Sequence, residues 1–516
     1  MAISSSGARA NVLPISYGHL VAALLCGLAL RFFFITRFPF YAGDTKFYEE
    51  LARNWLDHGV YGLFIRGELI PVDQRVPGYP AFLAVVYSLF GRTRTAVMLA
   101  QAVIDLGSCV MAALIAARIA PAQKKSVVAA IALWLAALCP FTASYTAAVI
   151  TETLAAFFTT LALLILIWAL TDSARDPSEM QSLDPSRERF AGPSHGRSTD
   201  GRATLWLTGL FLVAGFIVGL GTLVRPETPL VLAGAGLVIC VRWRNPADWS
   251  KAVLASLWMG VGLVLALVPW AARNARTMGR IDFLAPQYAE SAGDYIPRGF
   301  YAWTRTWMVR YRDAYGVTWA VGKRRIAIDA FPGSAFDSDA ERTRVASLLA
   351  SYNSDLKVTP ALDRRFEALA HERAARHPLR TFVMIPVERA FVIWFTPRVD
   401  VLRYSGRLWP PGEQHQAKPM EFDVTVIFGI LNFVYAGLAL AGAWRFRANP
   451  GCALLVSYLA IRTVLLTQLT TVEPRYVVVC FPIVAALGAL AFVKSRRDIS
   501  SDERKNAVAA SAAYVS

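Results

Sequence analysis

Charge is scarce in this sequence. Only 17% of its 516 residues are charged, against 55% hydrophobic, whereas soluble domains are about a quarter charged. A chain this poor in polar surface is excluded from the ordinary soluble class. Acidic side chains are the scarcer sign: 37 Asp and Glu stand against 53 Lys and Arg, for a formal net charge of +16. In a soluble protein that excess points to nucleic acid. Here the basic residues cluster in short loops between apolar runs, where the positive-inside bias and anionic headgroups account for them. Cysteine is equally sparse. All six (Cys26, Cys109, Cys139, Cys240, Cys452, Cys480) lie within apolar runs, which excludes a disulfide framework and a paired-cysteine zinc site. Six histidines provide no zinc helix, because His371, Glu372 and His377 lack the HExxH spacing.

Long apolar runs are what the chain has instead, and its mean hydropathy is +0.41. A helix of about 20 apolar residues crosses the hydrocarbon core and satisfies its own backbone there. The first run, Ile15 to Phe34, is followed by no small-residue cleavage site and reads as a retained span. Further crossings are expected near 96–119, 126–147, 151–171, 205–224, 227–241, 252–270, 423–444, 451–471 and 475–493. Two weaker stretches, 78–90 and 379–396, read as interfacial or re-entrant. With those two left out, Lys124, Lys125, Arg242, Arg244, Lys251, Arg445, Arg447, Lys494, Arg496 and Arg497 all fall on the cytoplasmic side. The expected fold class is all-α, a polytopic membrane helix bundle of about 10–13 spans.

Three stretches organise the chain. Residues 1–270 form an N-terminal membrane module that includes an outer loop at 37–95. Residues 271–421 form an outer cap, with amphipathic helical patterns at Ala302–Tyr315, Asp339–Tyr352 and Leu362–Ala375. Residues 422–516 carry the last membrane helices and a basic tail. The stretch 172–204 is polar and reads as flexible, and no internal repeat is visible.

Candidate chemistry starts just beyond the first span. Phe47, Tyr48, Leu51, Ala52, Trp55 and Leu56 recur at helical spacing and describe an amphipathic surface helix. Asp44 stands at its N-terminal edge, either as a helix cap or as a reactive carboxylate. Glu152 opens an apolar helix, either favouring the helix dipole or serving as a second acid. Arg225 and Glu227 sit between two apolar runs, where Arg225 either snorkels to headgroups or binds a phosphate. Arg475 and Tyr476, with Glu473 as an ion-pair partner, pose the same choice. Arg75 and Tyr79 are candidates for substrate positioning. Asp105 and Arg462 lie inside apolar runs, where charges usually face a polar interior.

These elements together carry a resemblance. Gly43, Asp44 and Tyr48 form Gly-Asp-x-x-x-Tyr at the exit of the first span. They are followed in order by Arg75-Val76-Pro77-Gly78-Tyr79-Pro80, Thr151-Glu152-Thr153, Leu223-Val224-Arg225-Pro226-Glu227 and Glu473-Pro474-Arg475-Tyr476. The series resembles the GT-C membrane glycosyltransferases, in the bacterial branch related to protein O-mannosyltransferases and the lipid A aminoarabinose transferase. The resemblance implies a juxtamembrane-helix and cap architecture, a polyprenyl-phosphate sugar donor, and an extracytoplasmic acceptor that is a glycan, lipid or protein. It implies Asp44 as catalytic base, with Glu152 a second acidic residue and Arg225, Arg475 and Tyr476 near the donor phosphate. One base and direct displacement predict inversion at the anomeric carbon. No cofactor is required by the sequence, and a divalent cation at the outward carboxylates stays open. The expected location is the inner or plasma membrane, with the site facing the periplasm or cell exterior. The rival reading is a polyprenyl-lipid or glycolipid transporter, which predicts broken helices and internal repeats.

Overall fold

The computed structural model of the chain describes residues 14–41, 43–172, 196–285 and 295–494. Most of the polar stretch at 172–204 and the basic tail lie outside these residues. The N-terminal module begins with α1 (Tyr17–Arg37), α2 (Gly43–His58), the hairpin β1 (Gly62–Ile65) and β2 (Glu68–Pro71), α3 (Gly78–Phe90) and α4 (Arg94–Ile119). It continues with α5 (Lys125–Ala137), α6 (Pro140–Tyr145), α7 (Glu152–Asp172), α8 (Gly196–Thr222), α9 (Leu230–Arg242) and α10 (Trp249–Met278). The cap contains α11 (Arg298–Arg305), α12 (Tyr311–Gly316), α13 (Asp339–Asp355) and α14 (Pro360–Arg376). The chain returns through α15 (Ile385–Phe395), α16 (Pro411–Ala417), α17 (Pro419–Arg445), α18 (Pro450–Thr467), a 3-10 stretch at Pro474–Cys480 and α19 (Phe481–Leu490).

Among the described residues six helices are long and apolar enough to cross a membrane: α1, α4, α7, α10, α17 and α18. Shorter apolar helices lie at Gly78–Phe90, Trp206–Thr222, Leu230–Arg242 and Pro474–Leu490. The chain is therefore a multi-pass helical membrane protein. The single crossing expected at 126–147 is instead broken between α5 and α6. Pro140 brings no N–H to the helix and holds Cys139 extended, so the ladder stops there. The last crossing likewise opens as a 3-10 stretch before α19. In the cap, the pattern at 302–315 is split between α11 and α12. The stretch at 379–396 forms a π turn, Arg380–Met384, leading into α15. The small hairpin was not foreseen. Its strands have four residues each, and its two-residue turn places Arg66 at φ 54° and Gly67 at φ 88°, as a type I′ turn requires.

Close helix packing follows from small residues. A Cβ on Gly215 would lie 2.1 Å from the Met259 carbonyl oxygen, and one on Gly262 would lie 2.1 Å from that of Leu212. Only glycine lets α8 and α10 approach so closely. Within the bundle Arg31 is fully buried and donates from Nε to Asp105 at 2.9 Å, with further bonds to the Gly27 and Ala137 carbonyls. This accounts for the charge at Asp105 as a strut between α1 and α4.

The helix ends sort onto two sides. Arg118 bonds Thr171, and Asn449 caps α18 beside Ile119, so the ends of α4 and α7 meet the start of α18. At the opposite end Thr45 reaches the Val149 carbonyl and Gly78 N–H reaches that of Leu223. The motif residues all gather at this second end. The cap has its own core around Phe300, Trp303, Tyr352 and Phe366. It is footed on the bundle by the buried Arg389, which donates to the carbonyls of Met308 and Thr467, both at 2.8 Å.

Candidate active site

α2 brings Asp44 to the top of the bundle, and its carboxylate does not serve as a simple helix cap. Oδ1 accepts from Arg75 Nη2 at 3.1 Å and Oδ2 accepts from Arg475 Nη2 at 3.3 Å. Burial pushes this carboxyl up, but the guanidiniums of Arg475 and Arg75 outweigh it and hold Asp44 below the ordinary aspartate range. Arg75 is presented by the segment after the hairpin, where the Tyr61 hydroxyl donates to its carbonyl at 2.9 Å.

Glu152 begins α7 directly after the buried run from Pro140 to Ile150, and is itself 1% exposed. Its Oε1 accepts from Arg225 Nη1 at 3.0 Å and lies 3.7 Å from Arg475 Nε. Its other oxygen, Oε2, is buried with no hydrogen-bond partner among the described residues. An unpaired buried acceptor costs about 1–3 kcal/mol. Asp44 and Glu152 thus meet the same guanidinium, that of Arg475, from two sides.

Arg225 lies across from them on the α8–α9 connection. Its Nε pairs with Glu227 Oε1 at 2.6 Å, and its guanidinium carbon sits 5.0 Å from the centre of the Tyr476 ring. Burial pushes Glu227 up, yet Arg225 and Arg462 bring it down to about 2, so this carboxylate stays charged at neutral pH. Arg475 pairs with Glu473, which also accepts from the Tyr476 hydroxyl at 2.8 Å.

Of the seven residues expected to act in catalysis, phosphate binding or substrate positioning, six share one network, and Asp44, Glu152, Arg75, Arg225, Arg475 and Tyr476 line one cavity of about 310 Å³. Tyr79 does not reach it. It is fully buried, donates to Gln101 at 2.7 Å and packs 5.0 Å from the ring of Tyr48. Tyr48 does line the cavity, and burial pushes its hydroxyl up to about 12, with the Asp44 charge adding to the effect. The sequence showed it as a residue of the amphipathic helix and as the last residue of Gly-Asp-x-x-x-Tyr, with no role of its own. Thr151 and Gln74 also line the cavity and carried no sequence signal beyond their neighbours.

A second, apolar cavity of about 670 Å³ lies beside the first, and Val224 lines both. Phe82, Leu154, Phe157, Leu223 and Trp270 form its walls, drawn from α3, α7, the α8–α9 connection and α10. The two cavities are kept in register by Gly78, whose N–H donates to the Leu223 carbonyl at 2.6 Å. A Cβ there would stand 2.5 Å from that oxygen. Gly78→Ala must push the Arg225 connection away, at about 1–3 kcal/mol of overpacking. A lowered melting temperature of the purified protein is the expected result, and an unchanged one would show that the connection yields freely.

Among the described residues no group of three or more His, Cys, Asp or Glu is placed to hold a metal ion. Both oxygens of Asp44 and one of Glu152 already meet arginine, so a divalent cation would have to open these pairs.

No protein-family model and no curated protein matches the chain. Its fold is similar to the oligosaccharyltransferase of Archaeoglobus fulgidus. In the form tethered to an acceptor peptide containing the NVT sequon, the TM-score is 0.47 at 15% identity over 92% of this chain and 49% of that one. In the complex with an inhibitory peptide and a dolichol-phosphate, the values are 0.44, 13%, 92% and 50%. It is also similar to ArnT from Cupriavidus metallidurans bound to undecaprenyl phosphate, at a TM-score of 0.37, 15% identity, 92% of this chain and 78% of that one. The chain spans about half the length of the archaeal structures it matches. These likenesses concern the fold alone.

Proposed function

We propose that the chain is a GT-C-type glycosyltransferase that moves a sugar from a polyprenyl-phosphate donor to an acceptor hydroxyl outside the cytoplasm. The observation that carries this reading is the pairing of a charged cavity, built from Asp44, Glu152, Arg225 and Arg475, with an apolar cavity across Val224. An amphiphile with an anionic head fits that pairing. The prenyl tail lies in the apolar cavity and the phosphate meets Arg225 and Arg475, since guanidinium geometry suits phosphate oxygens. The sugar then sits between the two carboxylates, with the free oxygen of Glu152 accepting from one of its hydroxyls.

In this reading the Asp44 carboxylate takes the proton of the acceptor hydroxyl as that oxygen attacks the anomeric carbon. The bond from that carbon to the phosphate oxygen breaks, and its electron pair leaves on the phosphate. A single base and direct displacement invert the anomeric centre. Asp44 paired with two guanidiniums is a weak base. A phosphate that draws Arg475 toward itself weakens this pairing and raises the Asp44 affinity for a proton when the donor is in place. Charge building on the leaving phosphate is met by cations already aimed at it.

The proposed orientation places the site away from the cytoplasm, because the basic short loops belong to the opposite end of the bundle. The transporter reading has some support in the breaks at 138–140 and 474–480. No internal repeat accompanies them, so the transferase is favoured. Purified protein in proteoliposomes, supplied with a polyprenyl phosphate bearing a labelled sugar and a cell-envelope extract, provides the test. Movement of label out of the donor lipid supports the proposal. Label that crosses the bilayer on an intact donor supports the transporter.

A further inference from the structure

Arg398 takes no direct part in the cavity, yet it is fully buried and follows α15 in a left-handed backbone conformation, φ 58°, uncommon for a residue other than glycine. No carboxylate lies within ion-pair distance of it among the described residues. Its guanidinium is spent on backbone: Nη2 donates to the carbonyls of Ile393 at 2.6 Å and Trp394 at 2.9 Å, and Nε to that of Pro474 at 3.2 Å. Asn432 accepts at 2.8 Å, and the Phe481 ring lies 5.1 Å away. Asp400 is near enough to be felt electrostatically but not to pair with it, and a buried cation with no carboxylate in contact is expensive, so an apolar side chain of similar volume would pack the same space more favourably. What an apolar side chain could not do is hold the Pro474 carbonyl.

The residue after Pro474 is Arg475. On its other side the Tyr476 carbonyl accepts from Arg462 at 2.9 Å, and Arg462 is 2% exposed. Two buried guanidiniums therefore grip the backbone immediately before and after Arg475. They do so in a 3-10 stretch, where the helical ladder is weaker. We propose that Arg398 and Arg462 are positioning residues, which fix the Arg475 guanidinium where it can meet both Asp44 and the donor phosphate. This rests on the transferase reading for the identity of the phosphate, and on the geometry alone for the positioning.

The test compares Arg398→Met, Arg398→Lys and Arg475→Ala in detergent-purified protein with two readouts. The first is amide hydrogen exchange, which needs no ligand. Exchange in Arg398→Met should be faster across 474–480 while the cap and α4 stay unchanged. The second is the Kd for a polyprenyl monophosphate, which should rise about tenfold in Arg398→Met, the scale of coupling between neighbouring groups. The double variant should bind no more weakly than Arg475→Ala alone. A general loss of packing would reduce the amount of folded protein without that non-additivity. Arg398→Lys keeps the charge should the methionine variant not fold, and must show the same two changes to a smaller degree. If the wild type binds no polyprenyl phosphate, the transferase reading falls and the exchange data alone decide the positioning. Unchanged exchange at 474–480, or fully additive losses of binding, would overturn the proposal.

Discussion

Replacing Asp44 by asparagine is expected to slow sugar transfer by roughly 10²–10⁴-fold, the usual contribution of a general base, while leaving donor binding intact. The amide has nearly the same shape as the carboxylate and keeps an oxygen that can accept from Arg75 or Arg475. It cannot accept a proton from an alcohol. The Kd for a polyprenyl phosphate should stay level or fall, because Arg475 loses an internal competitor for its charge. Steady-state transfer and direct binding, measured on the same preparation, separate the two effects. Transfer that survives the substitution would show that the acceptor is deprotonated elsewhere.

The second large effect belongs to Arg475→Ala. Its guanidinium touches Asp44, Glu152 and Glu473, so removal acts on binding, chemistry and folding together. Transfer should fall by about 10²–10³-fold, as when a preorganised charge partner is lost from a transition state. Removal also leaves Glu473, 4% exposed, without its guanidinium. Breaking a buried pair on one side costs about 3–5 kcal/mol. The pH dependence has a definite sign. Arg475 helps to hold the Asp44 pKa below its ordinary value, so its loss raises that pKa. The acid limb of the pH–rate profile therefore moves to higher pH, since Asp44 now becomes protonated, and inactive as a base, sooner as pH falls. Arg475→Lys keeps a charge for Glu473 and should recover stability more fully than activity, because an ammonium cannot meet both carboxylates with the same planar fork. An acid limb that stays in place in the alanine variant would separate Arg475 from Asp44.

Much of this architecture was legible in the chain because the bilayer imposes a simple code. Length and apolar content reveal α1, α4, α7, α10, α17 and α18, since lipid permits few alternatives to a continuous helix. What that code does not reveal is where a helix stops within the protein. The break at Pro140 is as apolar as its surroundings, and the 3-10 stretch at 474–480 continues from Val477 into the apolar run of α19 without an interruption in composition. The polar site was legible for the opposite reason. In a chain so poor in charge, Asp44, Glu152, Arg225 and Arg475 stand out at the ends of apolar runs. Their mutual pairing was not readable, because it depends on Gly78 and on the hairpin that presents Arg75, neither of which has a hydrophobic period. Tyr79 misled through its place beside Arg75: it has the chemistry of a substrate contact, but its side chain points into the packing between α3 and α4. Arg398 gave no sign at all. An arginine after a Thr-Pro pair at the end of an amphipathic helix reads as a surface residue, and only the fold reveals that the carbonyl before Arg475 meets it.

The stereochemical course of transfer tests the central claim most directly. A donor of known anomeric configuration would be turned over by the purified protein, and the glycosidic linkage in the product assigned by NMR. The account predicts the opposite configuration in the product, formed in one displacement with Asp44 as the only base. A product that keeps the donor's configuration would require a covalent glycosyl intermediate or two successive displacements, and would contradict it.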